Sequence, residues 1–392
     1  NLVVDHIPYN NPFLSQPFGG IFFPGPGIEN FASERSIYGS NSYSIIGITH
    51  TTASHRVMTS IKNILTSRIM PWDCIICTSK VVLDTVNLIL DAEKDFLEQR
   101  LNIKNFILPE FPVIPLGIDN SEFLYSDDYK NDSRKFLNFS NDDIVISFVG
   151  RLSFHAKAHH YPMYLALEEI AKSTKKKINL IQTGWFGNDF IEKVFRDEVK
   201  ELCPSVNCIF LDGINQDNKH RTLASSDIFI SLSDNIQETF GITPLEGMAA
   251  GIPVVVSDWN GYKETVRNNI DGFKIKTISV SPGDGLDLAY NHMINSIKYD
   301  LYVGLSAQRV AIDINDLISK LKILVEDKNK RLEMGDNARK RAYESYDWKF
   351  ILNEYNKLAN NLDDLRINSH STQKISLPSD RLDPFLLFSS YP

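Results

Sequence analysis

The sequence predicts an α/β protein made of two Rossmann-like domains, each with a mainly parallel sheet covered by helices. Its 392 residues, of which 43% are hydrophobic, are enough for two separate cores. From residue 43 onward, short β-branched runs alternate with amphipathic helical segments, an order typical of parallel strands joined by crossover helices. The alternation is most regular between residues 144 and 275, which predicts a doubly wound second domain.

Charge, hydropathy and cysteine usage restrict the class of protein. The formal net charge of −8 argues against a nucleic-acid partner, because neutralising phosphates requires a basic face. No apolar run approaches the roughly 20 residues that a membrane-spanning helix needs. The spacing of the cysteines fits no disulfide framework, and no nearby histidines complete a zinc site with them. The cysteines are Cys74, Cys77, Cys203 and Cys208. We therefore expect buried, reduced thiols and a cytoplasmic or membrane-peripheral protein.

The first domain is predicted to span residues 1–140 and to have an atypical or truncated start. The chain begins at Asn1 rather than at methionine, and residues 1–42 are rich in Pro, Gly, Asn and Ser. They are predicted to be loops, apart from an opening strand at residues 2–4. Further strands are predicted at residues 44–49, 72–79, 106–108 and 113–115, and helices within residues 50–69 and at residues 80–101.

The second domain is predicted to span residues 141–345, after a polar connection at residues 127–143. Its strands are expected at residues 144–149, 178–183, 206–211, 228–232 and 252–256, and its helices at residues 161–175, 189–202, 219–224 and from 244. Residues 278–309 interrupt this rhythm and are interpreted as an inserted loop and helix. Residues 312–360 are expected to be mainly helical with a break at 345–347, and residues 346–392 to form a helix and tail that return to the first domain.

The most informative stretch is residues 237–257, QETFGITPLEGMAAGIPVVVS. Two carboxylates, Glu238 and Glu246, lie eight residues apart across the junction of a polar loop and a short helix. Pro244 suits the first helical position, which places Thr243 at the N-cap. The free N–H groups of such a helix start form a site for anions, including phosphate.

Each acid also has an interpretation without function. Thr-x-x-Glu is a capping box, in which the Glu246 carboxylate returns to the backbone N–H of Thr243. For Glu238 taken alone, a solvated loop acid is the favoured interpretation.

The stretch as a whole resembles the E-x7-E motif of the family 4 retaining glycosyltransferases, which have the GT-B fold. The resemblance includes Phe240, Gly241, Pro253 and the Glu246-Gly-Met-Ala run. It covers about residues 44–360, most strongly residues 144–275. It implies two facing Rossmann-like domains with a cleft between them and a C-terminal helix that crosses back to the first domain.

The resemblance implies a donor site on the second domain. Glu246 would bind the ribose hydroxyls of a nucleotide sugar, and Glu238 would contact the transferred sugar. The anion would receive further hydrogen bonds from backbone N–H groups at Phe240, Gly241, Ile242 and Thr243. The ribose role and the capping role compete for Glu246, and the ribose is the hypothesis adopted.

The segment VGRLSFHAKAHH resembles the family's G-R-L…K element. Arg151 follows a predicted strand and Lys157 comes six residues later, so the resemblance assigns the donor diphosphate to these two cations. Both residues could instead be ordinary surface cations on a loop. His155 and His159 have the spacing of a ligand pair on a helix, but no acid or cysteine completes a set, and we predict no metal.

Two further positions are assigned through the resemblance. His50, at the carboxyl end of a predicted strand, resembles the histidine that the family places beside the donor sugar. Its alternative is a helix-entry histidine, with Thr51 or Thr52 as the helix cap. The segment DGINQDN resembles the loop whose backbone reads the nucleobase, which makes Ile214 the expected contact.

These residues predict a retaining, metal-independent glycosyltransferase of the hexosyltransferase type, without a cofactor. Its donor would be a nucleotide sugar, with UDP-sugar favoured, and its acceptor a glycan, glycolipid or small molecule, as in polysaccharide biosynthesis. The basic helix end formed by Lys172 and residues 175–177 is compatible with peripheral contact to a membrane, although such clusters are usually solvated. The alternatives are a degenerate nucleotide-sugar-binding scaffold subunit and a GT-B nucleotide-sugar epimerase.

Overall fold

The computed structural model describes residues 7–8, 11–369, 377–379 and 381–391 of the chain. Its contacts divide the chain into two compact units, of which the first consists of the residues up to Ile114 and from Leu352 onward. The second unit is Pro115–Ile351. The opening strand predicted at residues 2–4 lies outside the described residues.

The described part of the first unit contains a three-stranded parallel sheet in the order β1-β2-β3. Its strands are β1 (Gly20–Phe22), β2 (Ser44–Ile48) and β3 (Cys74–Ile76), and the helices before Ile114 are α1 (Glu29–Arg35), α2 (His55–Asn63) and α3 (Lys80–Leu101). The prediction that residues 1–42 are loops is therefore wrong. Strand β1 pairs with β2, and Ala32 on α1 and Ile28 at its N-cap are fully buried, so tertiary packing outweighs the local glycines and prolines.

A buried ion pair organises the first unit. Arg35 on α1 and Asp73 before β3 are both fully buried, and the guanidinium donates to the Asp73 Oδ2 atom over 2.7 Å. The same carboxylate accepts the backbone N–H groups of Ile45 and Met70, so its oxygens are satisfied. The strands predicted at residues 106–108 and 113–115 do not form, because this part of the chain makes only single bridges, one of them between Cys77 and Val113.

The second unit contains a six-stranded parallel sheet in the order β6-β5-β4-β7-β8-β9. Its strands are β4 (Ile144–Val149), β5 (Ile178–Gly184), β6 (Asn207–Asp212), β7 (Ile228–Ser231), β8 (Val254–Ser257) and β9 (Gly272–Ile275). The helices between them are α5 (Tyr161–Ser173), α6 (Asp189–Leu202), α7 (Gln216–Ser225), α8 (Ile242–Ala249) and α9 (Tyr262–Thr265). The strand order reverses between β4 and β7, which opens a crevice at the carboxyl ends of these strands. This confirms the predicted doubly wound domain.

The polar segment predicted as a domain connection contains a helix, α4 (Asp127–Phe136). Ser126 caps its start by accepting the N–H of Tyr129. On α7, Arg221 donates to Asp132 over 3.1 Å and covers the ring of Phe136. Because α4 packs on α7, the predicted boundary at residue 140 lies inside the second unit.

The predicted insertion is a helical hairpin closed at its base. It contains β10 (Thr277–Ser279), α10 (Leu286–Met293), α11 (Tyr299–Ala307) and β11 (Val310–Ile312), and β10 and β11 pair antiparallel. The chain ends with the helices α12 (Ile314–Glu326), α13 (Lys328–Ser345), α14 (Trp348–Ile367) and α15 (Pro384–Leu387). The break between α13 and α14 confirms the one predicted at residues 345–347. In the parts of the chain that the structure describes, no helix combines the length and apolar character needed to cross a membrane.

Candidate functional site

A groove with about 980 Å³ of empty space lies at the carboxyl ends of β4 and β5 in the second unit. Glycines at positions 150, 184 and 213 form part of its lining. A Cβ atom at Gly184 would lie 1.9 Å from the Gly150 carbonyl oxygen, so only glycine allows the two strand ends to approach this closely. The groove is also lined by four charged side chains: Arg151, Lys157, Lys219 and Glu246.

Helix α8 begins at one wall of this groove, two residues earlier than predicted. Its N-cap is Gly241, whose φ of 90° lies in the left-handed region, and the helix starts at Ile242. A Cβ atom at Gly241 would lie 2.0 Å from Cε1 of Tyr262. Thr243 is therefore the second helical residue and Pro244 the third, so the predicted N-cap and first position are wrong. Pro244 is still tolerated because the first four N–H groups of a helix have no intrahelical acceptor.

The capping box proposed for Glu246 does not form, since no side chain caps α8. Instead, the Oε1 atom of Glu246 accepts a hydrogen bond from the Lys219 ammonium over 3.1 Å. Its Oε2 atom and the Oγ1 atom of Thr243 are buried with no hydrogen-bond partner among the described residues. Burial raises the pKa of Glu246, and the Lys219 charge opposes this shift. Two buried acceptors at the groove thus remain open to a polar ligand.

Glu238 is a half-buried acid with a largely shielded side chain, and its interpretation as a solvated loop residue is wrong. Its side chain is 9% exposed and forms an ion pair with the Lys157 ammonium. Tyr262 is fully buried, and its hydroxyl is hydrogen-bonded to the Ser231 hydroxyl. The same Tyr262 hydroxyl lies 3.5 Å from the Glu238 Oε2 atom. The structure therefore brings together Glu238 and Lys157, two residues that lie 81 positions apart in the chain.

Asn235 joins the loop that carries the cations to the loop that carries Glu238. Its Nδ2 atom donates to the His155 carbonyl over 2.7 Å, and its Oδ1 atom accepts the Gln237 N–H over 3.0 Å. Arg151 is half-buried, and its guanidinium donates to the Ala156 carbonyl over 3.1 Å. The positions of the cations and of the acid are thus coupled by hydrogen bonds.

The side chains of Phe240 and Ile242 have different environments. Phe240 is buried and packs against the ring of Tyr346, with ring centroids 6.0 Å apart, so its side chain belongs to the core. Ile242, the first residue of α8, is 42% exposed. Only the backbone of Phe240 remains available for the predicted donor contact.

His50 lies in the first unit, two residues after the carboxyl end of β2, and is exposed. The following helix α2 is capped by Ser54, which accepts the Val57 N–H, so the alternative with Thr51 or Thr52 as the cap is wrong. The role of His50 beside a donor sugar stays a prediction.

Ile214 lies between β6 and α7 with 76% of its surface exposed. Its N–H group donates to the Asp212 Oδ1 atom over 2.9 Å. A base contact through its backbone would therefore use the carbonyl group, and this contact stays a prediction.

His155 and His159 precede α5, so they are not a ligand pair on a helix. A ring nitrogen of His155 lies 3.2 Å from the Ser153 hydroxyl, and the His159 ring stacks on that of His160. Within the described residues, no group of three or more His, Cys, Asp or Glu side chains is arranged to hold a metal ion. The prediction of metal independence is not tested by this arrangement.

Sequence reasoning missed Lys219, Trp185 and Tyr262 as members of this region. Lys219 is the fourth residue of α7, and a cation so near a helix start is unfavourable for the helix dipole. This unfavourable placement is the one signal in the sequence that indicates a specific acidic partner for Lys219. Trp185, which lines the groove with 49% of its surface exposed, and Tyr262 carry no comparable pattern.

Comparison with known protein families and sequences finds similarity that includes most of the second unit. The model of the family described as Glycosyl transferases group 1 matches residues 129–281. An uncharacterized glycosyltransferase of Methanocaldococcus jannaschii is 27% identical over 251 residues, which are 61% of this chain and 60% of that protein. The sulfoquinovosyl transferase of Arabidopsis thaliana is 24% identical over 182 residues, which are 46% of this chain and 28% of that protein. The matched segments thus cover less than two thirds of these relatives.

A solved structure extends the similarity to both units. The crystal structure of HepE from Anabaena, in complex with UDP, has a TM-score of 0.58 and 17% sequence identity to this chain. The superposition covers 89% of this chain and 80% of HepE. By its fold the chain is a GT-B protein, and its residues 129–281 match the model of the Glycosyl transferases group 1 family.

Proposed function

We propose that this chain is a retaining glycosyltransferase that moves a sugar, of the hexose type, from a nucleotide diphosphate sugar to a glycan, glycolipid or small-molecule acceptor. The observation that carries the proposal is one groove whose two lysines each pair with an acid beside a helix start: Lys219 with the buried Glu246, and Lys157 with the half-buried Glu238. The open acceptor atoms of Glu246 and Thr243 support a ligand rich in hydroxyl groups.

The diphosphate would lie against Arg151, Lys157 and the first N–H groups of α8. Arg151 can bind two oxygens with its planar fork, whereas Lys157 acts as a compact charge. In the transfer step, the bond between the anomeric carbon and the diphosphate oxygen breaks, and its electron pair stays on the diphosphate. The acceptor oxygen bonds to the anomeric carbon, and its proton passes to the departing phosphate. The fixed cations stabilise the charge that develops on the leaving group.

The nucleoside would lie at the part of the groove lined by Glu246, Lys219 and Trp185. The Glu246 Oε2 atom would accept hydrogen bonds from the ribose hydroxyls, while Lys219 keeps the other oxygen occupied and the carboxylate charged. The exposed indole of Trp185 offers a flat apolar surface in the groove, on which a base could stack. HepE has been solved with UDP and with UDP-glucose, which favours a UDP-sugar as the donor here.

The test begins with binding. Thermal unfolding is measured with UDP-, GDP- and ADP-linked sugars, with and without EDTA. We expect a selective rise in melting temperature for the UDP-sugar that EDTA does not abolish and that Glu246→Ala removes. The control is Glu169→Gln, which changes an exposed carboxylate on α5 and should keep the rise. A cooperative melt without any nucleotide-dependent rise would contradict the proposed donor site.

Turnover then separates transfer from simple binding. With a bound donor and a panel of carbohydrate and lipid-linked acceptors, the protein should release the nucleotide, and Glu238→Ala should abolish this release. The product should keep the anomeric configuration of the donor. Binding without turnover across the panel would instead support the nucleotide-sugar-binding scaffold, and interconversion of donors without transfer would support the epimerase.

A further inference from the structure

The helical hairpin formed by residues 277–312 is an insertion in the second unit. Its base is the β10–β11 ribbon, in which Thr277 pairs with Ile312. The ring of His292 on α10 stacks on that of Tyr302 on α11, with centroids 4.3 Å apart. Arg309 holds Asp287 with two parallel hydrogen bonds of 3.0 and 2.8 Å. These contacts tie α10 to α11 and to Arg309, which follows α11.

One side of α11 packs on the loop that carries the two cations of the donor groove. Val303, Gly304 and Ala307 are buried along this side. A Cβ atom at Gly304 would lie 3.1 Å from the Cβ atom of His155, which stands between Arg151 and Lys157 in the sequence. The helix backbone thus lies directly against this loop.

Tyr299, at the start of α11, reaches the acid-bearing loop through Gln237. The Tyr299 hydroxyl lies 2.9 Å from the Gln237 Oε1 atom. The Gln237 Nε2 atom donates to the Ala156 carbonyl, which can only accept, so the amide orientation is fixed and Tyr299 must be the donor. The same carbonyl accepts the Arg151 guanidinium over 3.1 Å, which occupies both of its lone pairs.

We propose that this hairpin positions the donor sugar and its diphosphate, with Tyr299 as the positioning residue for Gln237 and, through the Ala156 carbonyl, for Arg151. The inference rests on the proposed function and deepens it. Gln237 lines the groove and directly precedes Glu238, so its tether sets where the sugar-contacting acid and the phosphate-binding cation lie relative to each other. The Gln237 amide uses its oxygen for Tyr299 and one N–H for the Ala156 carbonyl, so we assign it a role through these neighbours rather than by touching the donor.

The first experiment compares Tyr299→Phe, which removes only the hydroxyl, with Tyr290→Phe, which removes an exposed hydroxyl on α10 of the same hairpin. Release of UDP from UDP-glucose, with water as the acceptor, is measured for both. We expect Tyr299→Phe to lower kcat about 10-fold with KM changed less than about twofold, because small displacements of reacting groups are costly in rate. Gln237→Ala should have the same effect, and the double variant should be no slower than either single variant.

A second measurement does not depend on any donor. Amide hydrogen exchange of the free protein should become faster in Tyr299→Phe at residues 150–160 and 234–240, and stay unchanged in β6. Exchange that is unchanged in those two loops, or equally faster in Tyr290→Phe, would overturn the positioning role. If exchange in Tyr299→Phe became faster uniformly across the second unit, and kcat per folded molecule stayed normal, the variant would only have lost stability. That result would also overturn the positioning role. If the wild type neither binds nor turns over a nucleotide sugar, the proposed function fails, while the exchange result still decides whether the hairpin holds the two loops.

Discussion

At the residue scale, the two oxygens of the Glu246 carboxylate have different tasks. One accepts the Lys219 ammonium, and the other is buried without a partner among the described residues. Burial raises the pKa of this acid, and Lys219 opposes the shift. We therefore expect Lys219 to act on a bound nucleotide through Glu246, by keeping the second oxygen an acceptor.

Replacing Lys219 by methionine should make nucleotide binding depend on pH. Without the ammonium, the pKa of Glu246 rises further, and a protonated carboxyl no longer accepts two ribose hydroxyls. Relative to the wild type at each pH, UDP affinity in Lys219→Met should fall about 10-fold at pH 6 and recover in part at pH 8.5, as the acid ionises. Isothermal titration with UDP checks this expectation. Equal losses at both pH values would show that Lys219 contacts the nucleotide directly instead.

Asp234 should govern part of the pH dependence of stability. Burial raises its pKa from 3.8 to about 7, while its Oδ2 atom accepts the His159 N–H. Between these values the native state binds more protons than the unfolded state, so the free energy of unfolding should decrease as pH rises from about 4 to about 7. The decrease attributable to this group is at most about 4 kcal/mol.

Urea unfolding at pH 5 and pH 8 tests this, with Asp234→Asn beside the wild type. The variant cannot ionise at this position, so it should lose clearly less stability between the two pH values. Asp142→Asn, which changes an exposed acid, should behave like the wild type. Identical pH slopes for the wild type and Asp234→Asn would rule out this role.

At the element scale, the start of α8 depends on Gly241. The residue combines a φ of 90° with the close approach of the Tyr262 ring, so a methyl group there meets both backbone strain and steric overlap. We expect Gly241→Ala to lower the free energy of unfolding by at least about 3 kcal/mol, and to impair nucleotide binding because the helix start shifts.

Gly283→Ala is the matched control for Gly241→Ala. Gly283 also has a positive φ, of 105°, but no atom of the described residues lies within 4 Å of the position where its Cβ would be. Its replacement should cost only the backbone strain, about 1–2 kcal/mol, and leave binding intact. Chemical denaturation of both variants separates the cost of backbone strain from the cost of steric overlap with Tyr262. Equal costs would show that the Tyr262 contact contributes nothing.

Elements differed in how far the sequence predicted them. Helix α6 (Asp189–Leu202) was predicted to the residue, because its amphipathic period and the Asn188 cap agree with the tertiary structure. Helix α4 was predicted as a connection because its sequence is polar. Its stability comes from contacts with α7, which the sequence does not reveal. Strand β1 was missed because a three-residue run among glycines and prolines becomes a strand only through pairing with β2.

At the scale of the whole molecule, every residue that lines the groove in the described part of the chain belongs to the second unit. A ligand that binds only the folded state at ~100 times its Kd adds about 2.7 kcal/mol to stability. We expect saturating UDP to slow amide exchange at residues 150–160 and 237–250, and not in α3 (Lys80–Leu101) of the first unit. Lys157→Met should weaken this protection. Slower exchange in α3, without change in the two groove segments, would place the nucleotide elsewhere.

The sequence by itself determined the doubly wound second unit, the strand ends that meet at the groove, and the residue types of its acids and cations. These depend on hydrophobic period and local spacing, which act over a few residues. Only the tertiary structure decided the partners: Glu246 with Lys219, Glu238 with Lys157, and Gln237 with Tyr299, each separated by at least 27 positions. It also decided against the capping box, because the start of α8 is set by the packing of Gly241 on Tyr262. Contacts between distant residues leave no period in one sequence, and the hydrogen bonds that complete this groove are contacts of that kind.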